Sequence, residues 1–222
     1  MATGDIIRAH DVDVGQITLG VPKSLDNGGK MIPLFHKGRP LIMQTPIMDV
    51  PFGLSKFPGD KGDKVTLSIS FKNQPDFQNL FKDVDGKCID EGFKNGFAWF
   101  KKKFQSKDVV EALYTPVVRF SKDKETGEIN DKYPPTLNLS IPMKDGEYKV
   151  EVYDANRKQI DLDTVNLKGS SVVAIIQCNG IWVAGGKFGC KFRVLQVQVK
   201  ASSASSKING YSFLEDERIE DS

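Results

Sequence analysis

Residues 171–200 read SVVAIIQCNGIWVAGGKFGCKFRVLQVQVK, and this stretch predicts one long β-hairpin. Its first arm, from Val172 to Ile176, is apolar on both faces, which is typical of a fully buried strand. The pair Gly185-Gly186 supplies the two residues of positive φ that a tight hairpin turn requires. We therefore expect two long paired strands around a two-residue turn.

The return arm of this hairpin alternates, but the alternation changes sides part-way along. Cations lie on one face of its first half: Lys187, Lys191 and Arg193. The opposite face carries Phe188, Cys190 and Phe192. After Val194, the apolar residues continue the face of the cations: Leu195, Val197 and Val199. A bulged or strongly coiled strand changes sides in this way, which favours a small closed barrel.

The rest of the chain predicts further strands around one helical region. Strands are expected at Gln16–Leu19, Met31–Phe35, Leu41–Thr45, Val65–Phe71, Val109–Tyr114, Val117–Phe120, Thr136–Ile141 and Tyr148–Tyr153. Apolar residues at helical spacing run from Asp76 to Phe104, with a break near Asp85-Gly86. This pattern predicts a mainly β fold, a β-barrel of the OB-fold type, with one helical insertion and a disordered acidic C-terminal tail.

Charge and composition divide the chain into three parts. We expect residues 1–200 to form a single elaborated OB-fold domain, and the Ser- and Ala-rich residues 201–213 to form a flexible linker. Residues 214–222 form the acidic tail, whose carboxylates are Glu215, Asp216, Glu217, Glu220 and Asp221. The formal net charge is +2, so a tail with five acids and one arginine lies on a mildly basic body.

Neither the cysteines nor the hydropathy indicate secretion or a membrane. The three cysteines form no CxxC pair, and Cys190 is expected opposite Ile181 rather than Cys178, so we predict reduced thiols. No apolar run is long enough to span a bilayer. We expect an intracellular protein without a membrane role.

Signatures of catalysis and metal binding are weak. The two histidines, His10 and His36, are far apart in the sequence and have no Cys or carboxylate at metal-ligand spacing. No P-loop, GxSxG or HExxH motif occurs. The sequence therefore predicts a protein that is not an enzyme and that has no cofactor and no metal.

Cations interleaved with aromatic residues are typical of a groove for single-stranded nucleic acid. The candidate DNA-binding residues are Arg119, Lys122, Lys132, Tyr133, Trp182, Lys187, Phe188, Lys191, Phe192 and Arg193. His36, Lys37 and Arg39 could form another edge of the groove. The competing interpretation is simple, because any half-buried strand alternates apolar core residues with solvated lysines.

Two motifs resemble a known family. They are Tyr133-Pro134-Pro135-Thr136 and the hairpin from Asn179-Gly180-Ile181-Trp182 to Gly185-Gly186-Lys187-Phe188-Gly189. With residues 65–200 around them, they resemble the single-stranded DNA-binding proteins of large nucleo-cytoplasmic DNA viruses of algae, which are similar to the OB-fold replication protein of short-tailed coliphages. The resemblance implies sequence-independent binding of single strands and an acidic tail that contacts the replication machinery. In the phage relatives the tail ends in an aromatic residue, whereas here the nearest aromatic, Phe213, precedes the acids.

These observations predict a single-stranded DNA-binding protein of viral DNA replication and recombination, acting at viral replication sites in the host cell. The acidic tail would compete with DNA for the groove or recruit a polymerase or a primase-helicase. A homodimer is left open. Two alternatives remain: a structural β-sandwich protein of the virion, such as a minor capsid protein, and an interaction module whose tail binds a basic partner.

Overall fold

The computed structural model describes residues 6–26, 28–59 and 63–201. Apart from Ala201, which ends a strand, the predicted linker and acidic tail lie outside the described residues. The helices are α1 (Pro75–Lys94), α2 (Gly96–Phe100) and α3 (Lys107–Leu113), with 3₁₀ turns at Ala9–Asp11 and Val14–Gln16. Among the described residues, no helix combines the length and the apolar character that a membrane span requires.

The strands are short in the first third of the chain and longest at its end. In chain order they are β1 (Ile7–Arg8), β2 (Ile17–Leu19), β3 (Lys23–Ser24), β4 (Lys30–Ile32), β5 (Leu34–His36), β6 (Arg39–Pro40), β7 (Ile42–Gln44), β8 (Met48–Val50), β9 (Leu54–Phe57), β10 (Lys64–Ser70), β11 (Tyr114–Thr115), β12 (Val118–Arg119), β13 (Thr136–Ile141), β14 (Met143–Lys144), β15 (Glu147–Tyr148), β16 (Glu151–Tyr153), β17 (Gln159–Ile160), β18 (Ser170–Ala184) and β19 (Lys187–Ala201). The prediction of a mainly β, OB-fold-like protein is confirmed.

The predicted hairpin is β18 and β19, joined by Gly185 and Gly186 at φ of 59° and 74°. Val194 pairs with Ile176 and Gln196 pairs with Ile175, so Leu195 is an extra residue in the ladder. This bulge lies where the apolar residues move to the other face of the strand. Val194 before it and Val197 after it are both buried. The predicted change of face is therefore a β-bulge.

Five of the strands close into a ring. β18 pairs with β8, β8 with β10, β10 with β13, β13 with β19, and β19 with β18. The inward residues of these strands are apolar and buried, among them Leu67, Leu139 and Ile176. A closed ring around one core is a barrel, not a pair of packed sheets, so the sandwich architecture of the structural alternative is wrong.

The first arm of the hairpin is less buried than predicted. Val172, Ala174 and Ile176 are buried, whereas Val173 and Ile175 are only half-buried. The reason is that β18 has core on one side and a partly open surface on the other, as antiparallel strands of a small barrel commonly do.

The helical insertion packs against the barrel with an aromatic face. Phe77 and Phe81 recur at helical spacing on α1 and are buried, and the ring centroids of Phe81 and Phe192 lie 4.9 Å apart. The predicted break at Asp85-Gly86 is wrong, because α1 continues to Lys94.

The strand predicted at Val109–Tyr114 is also wrong, because α3 occupies most of it. Val110 is fully buried against α1, where its side chain closely approaches Gly92. Packing on α1 has overridden the strand preference of two adjacent valines. Tyr114 and Thr115 then form β11, which pairs in parallel with β19.

The three cysteines are free and buried, and they converge in the core. Cys190 pairs with Ile181, as predicted, and its Sγ lies 3.5 Å from Sγ of Cys178. Hydrogen bonds to Cys178 and Cys88, together with burial, raise the pKa of the Cys190 thiol well above its usual value. The neutral thiol is therefore the form that the core favours.

Candidate nucleic-acid interface

β12 and β13 bring together two segments that are distant in the sequence. Arg119 pairs with Thr136, and Val118 pairs with Leu137. Register partners share a face of a sheet, so Arg119 lies outward with Thr136 while Val118 and Leu137 are buried. The chain between Arg119 and Thr136 therefore leaves and rejoins the sheet at one place.

That connecting segment is folded by its own hydrogen bonds. Lys122 and Ile129 form an antiparallel bridge. The Asp123 carboxylate accepts from the backbone amides of Glu125 and Thr126 over 2.8 and 2.9 Å, and these bonds lower the pKa of Asp123. The turn thereby holds Lys122 and Lys124 near Thr136, where β13 begins.

The segment before Arg119 is anchored by a buried carboxylate. The Tyr114 hydroxyl donates to Asp85 Oδ1 over 2.6 Å, and the Val117 amide donates to both oxygens over 3.0 Å. The Val118 amide lies 3.5 Å from Oδ2. Asp85 thus ties α1 to the two residues that precede Arg119.

Aromatic and basic side chains from these segments line one open cleft of about 570 Å³. We name them the Tyr133 cluster: Phe52, Arg119, Phe120, Lys122, Lys124, Lys132 and Tyr133. Three aromatic rings are exposed, with Phe52 at 59 %, Tyr133 at 57 % and Phe120 at 37 %. Exposed rings of this size next to cations are the two components of a base-stacking site.

The cations of the Tyr133 cluster are Arg119, Lys122, Lys124 and Lys132. In the described parts of the chain, none of them forms an ion pair, although Asp123 and Glu125 line the same cleft. The Nζ of Lys132 lies 5.6 Å from the centroid of the Tyr133 ring. The cluster therefore presents an excess of positive charge to an incoming anion.

A polar strip of the barrel surface continues from the Tyr133 cluster. We name it the polar floor, and it consists of the outward residues of β10 and β13: Thr66, Ser68, Thr136, Asn138 and Ser140. Ser68 donates to Asn138 Oδ1 over 2.6 Å, and Ser140 donates to the Phe192 carbonyl over 3.1 Å. Such a surface can hydrogen-bond to a sugar-phosphate backbone without repelling it.

The structure brings four of the predicted site residues together: Arg119, Lys122, Lys132 and Tyr133. Phe52 is the aromatic that the sequence interpretation missed. The sequence indicated its exposure through the flanking residues Pro51 and Gly53, which are typical of a turn and not of a core strand.

Phe188 and Phe192 do not stack bases, and this part of the prediction is wrong. Their exposed fractions are 0 % and 1 %. Phe188 packs edge-on against Tyr114 and Phe100, and Phe192 packs against Phe81. They face inward because alternate residues of β19 lie on opposite faces, and the face that carries the apolar residues packs against the core.

The remaining hairpin residues lie apart from the Tyr133 cluster. Trp182 is half-buried over Gly189, and Lys187 is exposed beside the turn. Arg193 donates from Nε and Nη2 to Gln177 Oε1 over 3.1 and 2.7 Å. Lys191 lines a separate cleft of about 660 Å³.

His36 does not form an edge of a groove, because it is buried. Its Nε2 accepts from the Asp13 amide over 3.2 Å, and burial, more than the nearby Lys37, lowers its pKa. The neutral ring therefore fastens the N-terminal segment to β5.

A larger cleft of about 990 Å³ lies between the N-terminal segment and α1. Its carboxylates are Asp13, Asp76 and Asp83, against Arg8 and His10, so its charge does not suit a polyanion. In the part of the chain that the structure describes, no group of three or more His, Cys, Asp or Glu side chains is placed to hold a metal ion.

Comparison with known proteins identifies a family. A family model described as "Family of unknown function (DUF5871)" matches residues 63–215, which is more than half of the chain. No curated protein matches the sequence.

Several solved structures have a similar fold. The single-stranded DNA-binding protein from bacteriophage Enc34, in complex with ssDNA, has a TM-score of 0.46 and 10 % identity over 81 % of this chain and 93 % of that chain. The single-stranded DNA-binding protein gp2.5 of bacteriophage T7 has a TM-score of 0.42 and 16 % identity over 78 % of this chain and 98 % of that chain. At these scores the likeness carries no argument about function.

Proposed function

We propose that this chain, which belongs to the DUF5871 family, binds single-stranded DNA without sequence preference. The observation that carries the proposal is the Tyr133 cluster, where three exposed aromatic rings and four cations line one cleft. The cleft opens beside the polar floor of the barrel. These are the requirements of a single-strand site: a cationic path for the backbone and flat surfaces for the bases.

The mechanism follows from the two kinds of side chain. The cations neutralise phosphates and release counterions, so the affinity falls as salt rises. Each ring stacks one base, which contributes about 1–3 kcal/mol and tolerates any sequence because every base has a π-face. Duplex bases are already stacked on one another, so the same cleft favours single strands.

The acidic tail has a regulatory role in this proposal. Glu215, Asp216, Glu217, Glu220 and Asp221 compete with DNA for the cationic cleft, and DNA displaces them. The released tail recruits basic surfaces of a polymerase or a primase-helicase. Truncation after Leu214 should tighten binding at low salt, and unchanged or weaker binding would disprove the competition.

The biological setting is part of the same proposal. Replication and recombination of viral DNA are the processes in which a sequence-independent single-strand binder acts, and the resemblance to proteins of large DNA viruses of algae stays a prediction from the motifs. The protein would act at viral replication sites, without catalysis of its own.

The test is a titration of fluorescein-labelled oligo-dT followed by anisotropy. Tyr133→Ala should weaken binding about fivefold or more, which is the lower end of the range for losing one stacked base. Phe97→Ala is the matched control, because Phe97 is an exposed aromatic outside the cleft, at 63 %. Equal affinity of Tyr133→Ala and the wild type would overturn the assignment of the site.

A further inference from the structure

A second group of aromatic and basic side chains lies at the other end of the polar floor. It lines the cleft of about 660 Å³, and we name it the Phe57 cluster: Lys56, Phe57, Lys64, Tyr148 and Lys191. The Phe57 side chain is exposed at 55 %. The Nζ of Lys56 lies 5.2 Å from the centroid of the Tyr148 ring. The Phe57 cluster therefore combines the same two kinds of side chain as the Tyr133 cluster.

β13 connects the two clusters. Thr136 lines the cleft of the Tyr133 cluster and Ser140 lines that of the Phe57 cluster, with the exposed Asn138 between them. These positions are about 13 Å apart at roughly 3.3 Å per residue of extended strand. The axial rise of one strand of B-form DNA is about 3.4 Å per nucleotide, so a strand with that rise covers this separation with about four nucleotides, and a more extended strand covers it with fewer.

The adjoining strands bring Phe57, Lys64 and Lys191 of the Phe57 cluster to one face. Phe57 of β9 pairs with Lys64 of β10, so both side chains lie on the outward face. Thr66, the next outward residue of β10, pairs with Ser140 of β13, and Ser140 in turn pairs with β19 two residues after Lys191. The Phe57 cluster is thus an extension of the polar floor and not a separate surface.

Charge supports an anion at Lys64 and Lys191. Among the described residues, neither lysine forms an ion pair, and partial burial together with Lys64 lowers the pKa of Lys191. The cleft also contains carboxylates, of which Asp163 lies 4.0 Å from Lys56 Nζ. Lys56 is therefore partly neutralised, whereas the mutual repulsion of Lys64 and Lys191 would be relieved by a bound anion.

We propose that the Phe57 cluster is a second contact site for the same DNA strand, with Lys64 and Lys191 binding a phosphate and Phe57 stacking a base. This inference rests on the proposed function, because it extends the strand that the Tyr133 cluster binds. A strand must be long enough to span the polar floor before it reaches both clusters.

Strand length provides the test. The double variant Phe57→Ala/Lys191→Ala is titrated with oligo-dT of about twelve nucleotides, within the site size of one OB fold, and with the dinucleotide dTpdT in a competition assay at low salt. The longer strand should bind about fivefold or more weakly, and its dependence on log salt should decrease by about 0.7 for the lost phosphate contact. The shorter strand should bind nearly as it does to the wild type, because the Tyr133 cluster alone can hold it.

The matched control is Phe97→Ala/Lys102→Ala, which removes an exposed aromatic and a lysine outside both clefts. Circular dichroism and urea unfolding verify that each variant is folded. If the Phe57 double variant binds both lengths as the wild type does while Tyr133→Ala weakens both, the second site is refuted and the proposed function stands. If the wild type binds neither length, the proposed function fails and the second site fails with it.

Discussion

Replacing Asp85 with alanine should destabilise the protein, because this buried carboxylate is the shared acceptor for three donors. The donors are the Tyr114 hydroxyl and the amides of Val117 and Val118. All of them lie in buried residues, so water cannot take the place of the carboxylate without opening the core. The segment that they fix leads directly to Arg119 of the Tyr133 cluster.

The expected magnitude follows from the donors. Each buried donor left without a partner costs about 1–3 kcal/mol. Removal of the carboxylate also removes its own desolvation cost, which offsets part of that loss of stability. We therefore expect Asp85→Ala to lower the free energy of unfolding by about 2–4 kcal/mol. Asp85→Asn keeps one acceptor oxygen but turns an NH₂ group toward amide donors, so its cost should be about 1–2 kcal/mol.

Urea unfolding at neutral pH, followed by fluorescence of the buried Trp99, measures these differences. Asp83→Ala is the matched control, since Asp83 lies on the same helix and is exposed, and it should stay within about 0.5 kcal/mol of the wild type. A value for Asp85→Ala within that same margin would refute the role of the carboxylate.

The same carboxyl predicts the direction of a pH dependence. Burial raises the pKa of Asp85 above its ordinary value of 3.8, against the opposing hydrogen bonds and the nearby Arg119. The folded state therefore holds the proton more tightly than the unfolded chain does. The stability contributed by Asp85 is greatest below the unfolded pKa and is lost as pH rises through the folded pKa. The wild type should lose stability relative to Asp85→Asn as pH rises above 3.8, and a constant difference in urea unfolding would contradict this.

Three further predictions concern the core. Phe192→Ala should cost about 3–5 kcal/mol in urea unfolding, because the ring is fully buried; a loss of DNA affinity at full stability would instead restore its stacking role. Gly180→Ala should cost about 3 kcal/mol or more, since φ is +112° and a methyl would overlap the Ile32 carbonyl, whereas Gly127→Ala in open space should cost about 1–2 kcal/mol. Ellman's reagent should label the three buried thiols only after unfolding, and rapid labelling of the native protein would contradict their burial.

The barrel could be predicted because its strongest signals are local. The change of sides after Val194 can be read from alternation alone, and it required the bulge that the structure places at Leu195. The strands Lys64–Ser70 and Thr136–Ile141 carry a clean period of two, so their inward and outward faces were also predictable.

The helical insertion was harder to predict because its form depends on packing. The adjacent valines Val109 and Val110 favour a strand by themselves, and the contact of the buried Val110 with α1 favours the helix instead. Likewise Gly86 indicated a break, yet α1 continues through it because Asp85, one residue before, is anchored in the core.

The candidate site could be predicted only in part. Arg119 and Tyr133 are found from their neighbours in the sequence. Phe52 lies between β8 and β9 and Phe57 ends β9, and the pairing of β9 with β10 is what places Phe57 beside the polar floor. Phe188 was wrongly included in the site, because alternation of lysines with aromatic residues is typical both of a half-buried core strand and of a base-stacking surface. Burial separates the two interpretations, and burial is a property of the whole fold.

The central claim is that the Tyr133 cluster and the polar floor bind single-stranded DNA, and an anisotropy titration of the full chain tests it most directly. Labelled oligo-dT and a duplex of the same length are titrated at low salt and then at increasing salt. We predict a dissociation constant below about 1 μM for the single strand, weaker binding to the duplex, and a steep loss of affinity with salt. Absence of single-strand binding below micromolar protein, or equal binding to the duplex, would contradict the claim.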